Sequence, residues 1–177
     1  GMDRVEALPI INGRSLGQFD FDYSTKTIFF SEEQRIISMI QLNLTFQTSQ
    51  MNQKQASNYV TRKILFELDS ASGQLQSLAY DWINHVLYYS YTDTPFNYIK
   101  ACDYPSASFH YTVFSSKTDN PSVLAVNPKL RYLYWIDQGQ FSRLERSNLD
   151  GSNRTTLISN DILSPTDLFI DIRTGDI

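Results

Sequence analysis

A short apolar and aromatic motif recurs four times along this chain of 177 residues. Each copy consists of an apolar stretch, an Asp or Asn, a short polar turn and a second stretch that ends in aromatic residues. Three copies occupy residues 19–31, 78–90 and 124–136, and a fourth begins at Leu168. The marker residues are Asp22, Asp81, Asn127 and Asp171, so the separations are 59, 46 and 44 residues. A repeat of this length indicates a modular architecture in which each unit is completed by its neighbours.

The third unit shows the strand pattern best. Alternating apolar residues predict strands over 122–126, 132–136, 142–148 and 155–158. Asp150 and Gly151 form a hairpin signal before the last strand, because Gly accepts a positive φ. Four antiparallel strands in about 45 residues make one blade of a β-propeller. An all-β sandwich also uses many short strands, but it does not need them to repeat in groups of four.

The repeat therefore predicts an all-β chain with a single domain over residues 1–177. We expect about three four-stranded blades, with units at about 15–70, 71–120 and 121–163. Residues 164–177 are predicted to be the first strand of a fourth unit, and another strand is expected at about 4–11. An unclosed propeller exposes sheet faces and edges. One hypothesis is that self-association of two copies completes the ring.

Composition narrows the functional classes. The net charge is −4 and no run of Lys and Arg exceeds two residues, so no nucleic-acid-binding surface is predicted. No apolar run approaches the ~20 residues that cross a bilayer, so no membrane insertion is predicted in this segment. Cys102 is the only cysteine, which gives no disulfide framework.

Motifs for catalysis or cofactor binding were sought and not found. The sequence contains no G-x-S-x-G, no H-E-x-x-H, no P-loop and no dinucleotide fingerprint. We therefore assign no catalytic, cofactor-binding or metal-binding residue. The alternative is a metal-dependent propeller hydrolase of the lactonase kind, with Asp22, Asp81 and Asp171 as ligands in the central channel. The simpler interpretation is that these carboxylates accept hydrogen bonds from the turn that follows each first strand.

Three segments carry a family resemblance. They are Tyr134-Trp135-Ile136-Asp137, the hairpin Asn148-Leu149-Asp150-Gly151-Ser152, and the first strand Leu124-Ala125-Val126-Asn127. With the spacing of the units, they resemble the YWTD repeats of the low-density-lipoprotein receptor class B family over roughly residues 15–177. The resemblance implies a six-bladed propeller that binds proteins outside the cell and is not an enzyme.

Two glycosylation sequons suggest which end of the propeller is free. They begin at Asn43 and Asn153, and both fall near the turn between the third and fourth strands of a unit. Glycans there would leave the opposite end to a ligand. The candidate protein-binding residues at that opposite end are Tyr91, Asp93, Phe96, Tyr98, Asp137, Phe141 and Asp161. Aromatic side chains beside carboxylates suit a partly basic protein ligand.

Together, these features predict an extracellular protein-binding or scaffolding module of a receptor or secreted protein. Its ligand would contact the loops of the propeller, which are carried on a rigid sheet scaffold. The expected partners are a protein ligand, an adjoining extracellular module, or a second copy of the chain.

Overall fold

The computed structural model describes residues 15–42, 60–160, 162–171, 173–174 and 177. Within these residues, twelve strands form three separate four-stranded sheets. Blade 1 contains β1 (Leu16–Asp22), β2 (Thr27–Glu32), β3 (Ile36–Leu42) and β4 (Val60–Glu67). Blade 2 contains β5 (Gln74–Asp81), β6 (Val86–Asp93), β7 (Phe96–Asp103) and β8 (His110–Ser116). Blade 3 contains β9 (Pro121–Asn127), β10 (Tyr132–Asp137), β11 (Arg143–Asn148) and β12 (Thr155–Ile158).

Each blade is an antiparallel meander in which every strand pairs with the next along the chain. This arrangement confirms the predicted all-β, blade-like fold. It also fixes which connections lie together. In every blade, the first strand ends, the second begins, the third ends and the fourth begins at the same end of the sheet. The other connections lie at the opposite end.

The repeated Asp or Asn shapes the turn after each first strand. Asp22 accepts hydrogen bonds from the hydroxyls of Ser24 and Thr25, both at 2.7 Å. Asp81 accepts the backbone N–H of Asn84 at 2.9 Å, and Asn127 accepts that of Leu130 at 3.2 Å. A short polar side chain that bonds its own turn explains why the motif needs Asp or Asn at this position.

The same three turns share a backbone feature that sequence spacing alone did not suggest. The fourth residue after each marker is left-handed: Lys26 has φ 56°, His85 has φ 55° and Arg131 has φ 61°. This conformation is costly for a residue with a Cβ, so the surrounding turn must hold it. The three blades therefore repeat in backbone geometry as well as in sequence.

The core lies between the blades, and adjacent residues of one strand serve different interfaces. Leu78 and Tyr80 of β5 belong to the cluster that joins blade 2 to blade 1, where Phe29 is buried. Ala79, between them, belongs to the cluster that joins blade 2 to blade 3, where Trp135 is buried. Since side chains alternate across a sheet, blade 2 buries both of its faces. Each large apolar side chain buried in this way stabilises the fold by about 1.5–3 kcal/mol.

Two hydrogen bonds tie neighbouring inner strands together. The Asp20 carboxylate accepts the backbone N–H of Tyr80 at 2.7 Å, which links blade 1 to blade 2. The Ser77 hydroxyl accepts the backbone N–H of Leu124 at 3.0 Å, which links blade 2 to blade 3. These bonds fix the position of one blade along the next, which apolar packing alone does not do.

The far face of blade 3 is covered in part by residues that follow it. Val123, Ile136 and Leu144 are buried there, with Ile162 and Leu168 packed against them. Among residues 162–171 no strand is assigned, so the first strand of a fourth unit stays a prediction. The boundaries of the units likewise stay as predicted from the repeat. The strand expected at about 4–11 lies outside the residues that the structure describes.

Candidate functional site

The two ends of the blades differ in the side chains that they present. We call the end that carries the turns at 82–85, 128–131 and 149–154 the Asn153 end. We call the opposite end, with the turns at 94–95 and 138–142 and the connections at 68–73 and 117–120, the Phe141 end. Most of the predicted protein-binding residues lie at the Phe141 end, around the β6–β7 hairpin.

An ordered aromatic group forms one wall of this end. The Tyr91 and Tyr98 rings are stacked, with centroids 4.9 Å apart and planes 16° apart. The Lys100 ammonium lies 5.4 Å from the Tyr91 centroid and 5.5 Å from that of Tyr98. Such contacts between a cation and an aromatic ring are worth roughly 0.5–1 kcal/mol at exposed sites. Tyr91 is buried, so it supports the surface more than it forms it.

Phe96 and Tyr98 are half-buried, and Phe141 is exposed. Phe96 is half-buried, with its centroid 6.0 Å from that of Tyr98, and the Lys117 ammonium lies 4.9 Å from the Phe96 centroid. Phe141, in the β10–β11 connection, is 71% exposed. Its ring adds exposed apolar surface to the end that carries Phe96 and Tyr98.

Asp93 is held by the neighbouring connection. Its Oδ1 atom accepts hydrogen bonds from the Ser70 hydroxyl at 2.7 Å and the Ser72 hydroxyl at 2.6 Å. These bonds lower the pKa of Asp93 below its usual value. The carboxylate thereby joins the β4–β5 connection to the tip of the β6–β7 hairpin. Its first role in the structure is to hold two loops together.

Asp137, the last letter of the tetrapeptide motif, is fully buried. Its carboxylate accepts the backbone N–H of Asn120 at 2.7 Å and that of Gly139 at 2.9 Å, and it pairs with Arg143. Asp137 therefore fixes the connection before β9 and the turn after β10. Through these bonds, the buried Asp137 carboxylate holds two loops of the Phe141 end in position.

Four further side chains surround Asp137. Arg143 donates to Asp119 at 3.0 Å, and Arg154 donates to Asp119 at 2.8 Å and to Glu145 at 2.9 Å. The Arg154 guanidinium also lies 4.7 Å from the Phe114 centroid of blade 2. Burial would raise the pKa of Asp119, but hydrogen bonds and charges from Arg154 and Arg143 lower it below its usual value. This network joins the β8–β9 connection to blade 3.

The position of Asp137 is equivalent in all three blades. Ten residues after each marker stand Glu32, Tyr91 and Asp137. Glu32 is buried and pairs with Arg62 at 2.6 Å, as Asp137 pairs with Arg143. In blade 2 the acid is replaced by Tyr91, and a cation still approaches it. At the tenth residue after its marker, each blade thus has an acid or an aromatic ring in contact with a cation.

The remaining predicted residues lie elsewhere. Asn153 is exposed at the opposite end, with φ 54°, and the Thr155 hydroxyl donates to its backbone carbonyl at 3.3 Å. Asn43 and Asp161 lie outside the described residues. In the described ranges, no three His, Cys, Asp or Glu side chains form a group that could hold a metal ion.

Sequence reasoning overlooked the cations of this site. Lys100 and Lys117 lie over aromatic rings, and Arg143 and Arg154 surround Asp137. A signal was present, because Arg143 and Glu145 are two residues apart on one strand and so share a face. Arg143 also lies opposite Asp137 in the pairing of β10 with β11, and cross-strand partners of opposite charge attract.

Comparisons with known proteins identify the class of fold and one of its repeats. The family described as low-density lipoprotein receptor repeat class B matches residues 131–172, which include β10 to β12. A chain from the crystal structure of a nidogen–laminin complex superimposes with a TM-score of 0.72 over 91% of this chain, at 16% identity. Residues 131–172 therefore match a class B (YWTD) repeat, and the chain has the fold of a β-propeller. Its three blades form an open part of such a propeller.

Two relatives are similar to this chain at the level of sequence. The human low-density lipoprotein receptor-related protein 5-like protein is 30% identical over 98 residues, or 55% of this chain and 38% of its own length. Protein cueball of Drosophila sechellia is 34% identical over 118 residues, or 66% of this chain and 18% of its own length. The chain thus spans well under half of either relative, and 54% of the matched nidogen–laminin chain.

A second solved structure shares the architecture more loosely. A structure described as a 6-phosphogluconolactonase from Bacteroides uniformis gives a TM-score of 0.52 over 81% of this chain and 39% of its own, at 11% identity. At that identity the likeness is one of fold alone. Within the residues that the structure describes, no helix is long and apolar enough to cross a membrane.

Proposed function

We propose that this YWTD propeller is an extracellular protein-binding module whose ligand contacts the Phe141 end. The observation that carries the proposal is the exposed ring of Phe141 at the same end as the aromatic group of Phe96, Tyr98 and Tyr91. Protein interfaces are enriched in aromatic side chains that stand on a rigid support. The stacked tyrosines and their cations supply that support.

The side chains of this end take different parts in the proposed contact. Phe141 and Phe96 would enter the partner surface, and Lys117 would contribute the nearby positive charge. Asp93 and Asp137 position the loops, because both carboxylates are already hydrogen-bonded within the chain. This division makes the aromatic residues, rather than the acids, the main source of affinity. Asp161, in the following connection, remains a proposed contact.

The family relationship supports the extracellular setting. The matched relatives include a receptor-related protein, and the matched structure is a complex between nidogen and laminin. We propose glycosylation at Asn43 and Asn153, which would keep the Asn153 end from the ligand. An adjoining extracellular module is a second proposed partner of the Phe141 end, because adjacent modules and ligands can use the same rigid loops.

A binding screen tests this function. The purified chain is measured by biolayer interferometry against a panel of purified extracellular proteins and ectodomains. Any partner is then measured against the Phe96→Ala/Phe141→Ala double variant and against Leu130→Ala, an exposed apolar residue at the Asn153 end. We expect the double variant to bind at least about tenfold more weakly, which is 1.4 kcal/mol. If Leu130→Ala loses as much affinity as the double variant, or if the double variant loses none, the ligand does not contact the Phe141 end.

We further propose that a second copy of the chain can dock on the open face of blade 3 and complete a ring. Next to that face, Leu163 is 92% exposed and Phe169 is 80% exposed. Exposed apolar residues beside a sheet face favour association. Light scattering on a sizing column should give twice the chain mass of 20.4 kDa. A mass equal to one chain at all concentrations, unchanged in Phe169→Asp, would contradict this assembly.

A further inference from the structure

A cleft lies between blades 2 and 3 at the Asn153 end, away from the proposed protein-binding surface. The cleft is open to solvent on one side and has a volume of about 500 Å³. Ligand sites usually enclose roughly 300–1,000 Å³. Its walls come from the first turns of both blades and from the hairpin between β11 and β12. The side chains that matter here are those of Tyr88, Tyr111, Tyr132, Arg131, Asn148 and Asp150.

The walls of the cleft are fixed by close packing. The backbone of Gly151 rests on blade 2, since a Cβ added there would come within 2.3 Å of the Val113 carbonyl oxygen. The Tyr88 hydroxyl donates to the Leu149 carbonyl at 3.3 Å. On the other side, the Arg146 guanidinium lies 4.3 Å from the Tyr132 centroid and holds that ring. A site with preformed walls binds a ligand with little loss of conformational entropy.

The chemistry of the lining indicates a neutral polar ligand with an apolar face. Tyr111 and Tyr132 are half-buried rings, which offer flat apolar surfaces. Arg131 and Asp150 carry opposite charges and interact with each other electrostatically, so the cleft has no net charge from this pair. The Asn148 side chain donates to the Ser152 hydroxyl at 2.9 Å, while its carbonyl oxygen accepts no hydrogen bond from the described residues.

We propose that this cleft is a saccharide-binding site. A sugar ring presents C–H groups to an aromatic ring on one face and hydroxyls along its edge. Hydroxyls can pair with the guanidinium of Arg131, the amide of Asn148 and the carboxylate of Asp150. The ligand could come from the protein's own glycan at Asn153, three residues beyond Asp150, or from another glycoprotein. Both sources share this chemistry, and the site stands independently of the proposed protein-binding surface.

Saturation-transfer NMR on the bacterially produced chain tests the site. The probes are the methyl glycosides of N-acetylglucosamine, mannose, galactose and glucose, at up to about 10 mM. We expect transfer to at least one of them, with affinity at least about tenfold weaker in Arg131→Ala and in Tyr132→Ala. Arg131 is exposed, so its variant should fold normally. Ile64→Ala, at an exposed apolar residue of blade 1, serves as the control that retains binding. Absence of transfer from every probe, or unchanged affinity in both cleft variants, overturns the proposal.

A second comparison separates the two sources of ligand. The chain produced in secretory cells is compared with its Asn153→Gln variant and with the bacterial protein. If the protein's own glycan fills the cleft, the free sugar binds the variant and the bacterial protein but not the glycosylated chain. If the ligand comes from another glycoprotein, all three forms bind the free sugar alike. Either result supports a saccharide site, whereas binding by none of the forms overturns it.

Discussion

The carboxylate of Asp20 in blade 1 accepts the backbone N–H of Tyr80 in blade 2 at 2.7 Å. Asp20 also accepts the N–H of Phe21 at 2.7 Å. Burial raises the pKa of Asp20, although both hydrogen bonds oppose that change. Burial therefore disfavours the charged form of this carboxylate, while its hydrogen bond to Tyr80 fixes the position of β1 against β5.

Substitution of Asp20 should weaken the joint between blades 1 and 2. Asp20→Ala leaves the Tyr80 N–H without an acceptor, and we expect it to reduce the free energy of unfolding by about 1–3 kcal/mol. Asp20→Asn retains one acceptor and carries no charge to bury, so its loss should be smaller. Urea unfolding followed by fluorescence measures both. A larger loss in Asn than in Ala would contradict this account.

The network around Asp137 predicts a strong dependence on Arg154. Arg154→Ala removes the guanidinium that lies 2.9 Å from the buried Glu145 carboxylate and leaves that carboxylate with Arg143 at 3.5 Å and the Thr156 hydroxyl. We expect the free energy of unfolding to fall by about 1–3 kcal/mol. Arg154→Lys should recover only part of the lost stability, because a single ammonium cannot bond both Glu145 and Asp119 as the guanidinium does. Arg173→Ala is the matched control, since its pair with Asp171 is exposed. Equal unfolding midpoints for Arg154→Ala and Arg173→Ala would contradict the network.

Asp119 gives this network a defined pH dependence. Its pKa in the folded chain is lowered from the usual 3.8, so the folded state favours the charged form. The resulting stability is present above pH 3.8 and is lost as the pH falls through the lower folded value. We expect Asp119→Asn to be less stable than the parent at pH 6 by about 1–2 kcal/mol. The difference should shrink toward pH 2, and a difference that grows with acid would contradict the assignment.

The thiol of Cys102 should react very slowly in the folded chain. It is buried between blades 1 and 2, and burial raises the pKa of its thiol to about 12. Because the thiolate is the reactive form, a thiol-specific reagent at pH 8 should label the native chain only as fast as it opens. Labelling in denaturant should be complete within minutes. Fast stoichiometric labelling without denaturant would show that the interface is not closed.

Gly151 should tolerate no side chain. It has φ 85°, and a Cβ there would collide with the Val113 carbonyl oxygen. Gly151→Ala should therefore destabilise the chain by more than about 1 kcal/mol, and should perturb the hairpin that borders the cleft. Gly73→Ala is the control, because a Cβ there meets the flexible Leu68 side chain at 3.1 Å without a positive φ. Thermal unfolding compares the two variants, and an equal fall in the unfolding temperature of both would contradict the special role of Gly151.

The blade architecture was predictable from the sequence because it rests on local and periodic signals. The marker residues Asp22, Asp81 and Asn127 accept hydrogen bonds within their own turns, so a short window of sequence contains the cause. The paired aromatics after each turn alternate between two interfaces, which strand periodicity also reveals. These features do not depend on distant parts of the chain.

The candidate site was harder to predict because its charges are decided by distant partners. Asp137 resembles a loop carboxylate in sequence, but Arg143, Asn120 and the backbone of Gly139 enclose it in the structure. Asp93 likewise owes its environment to Ser70 and Ser72, which precede it by more than twenty residues. The sequence predicted which aromatic side chains share this end, while the fold showed that the carboxylates of Asp93 and Asp137 hold neighbouring loops.

Hydrogen–deuterium exchange on a complex tests the central claim most directly. The chain is measured alone and bound to the partner identified by the binding screen. A module that binds through the Phe141 end should show slower exchange at residues 94–98, 117–120 and 138–142, with little change at 128–131 and 149–154. Protection confined to the turns of the Asn153 end would contradict this account of how the propeller binds its ligand.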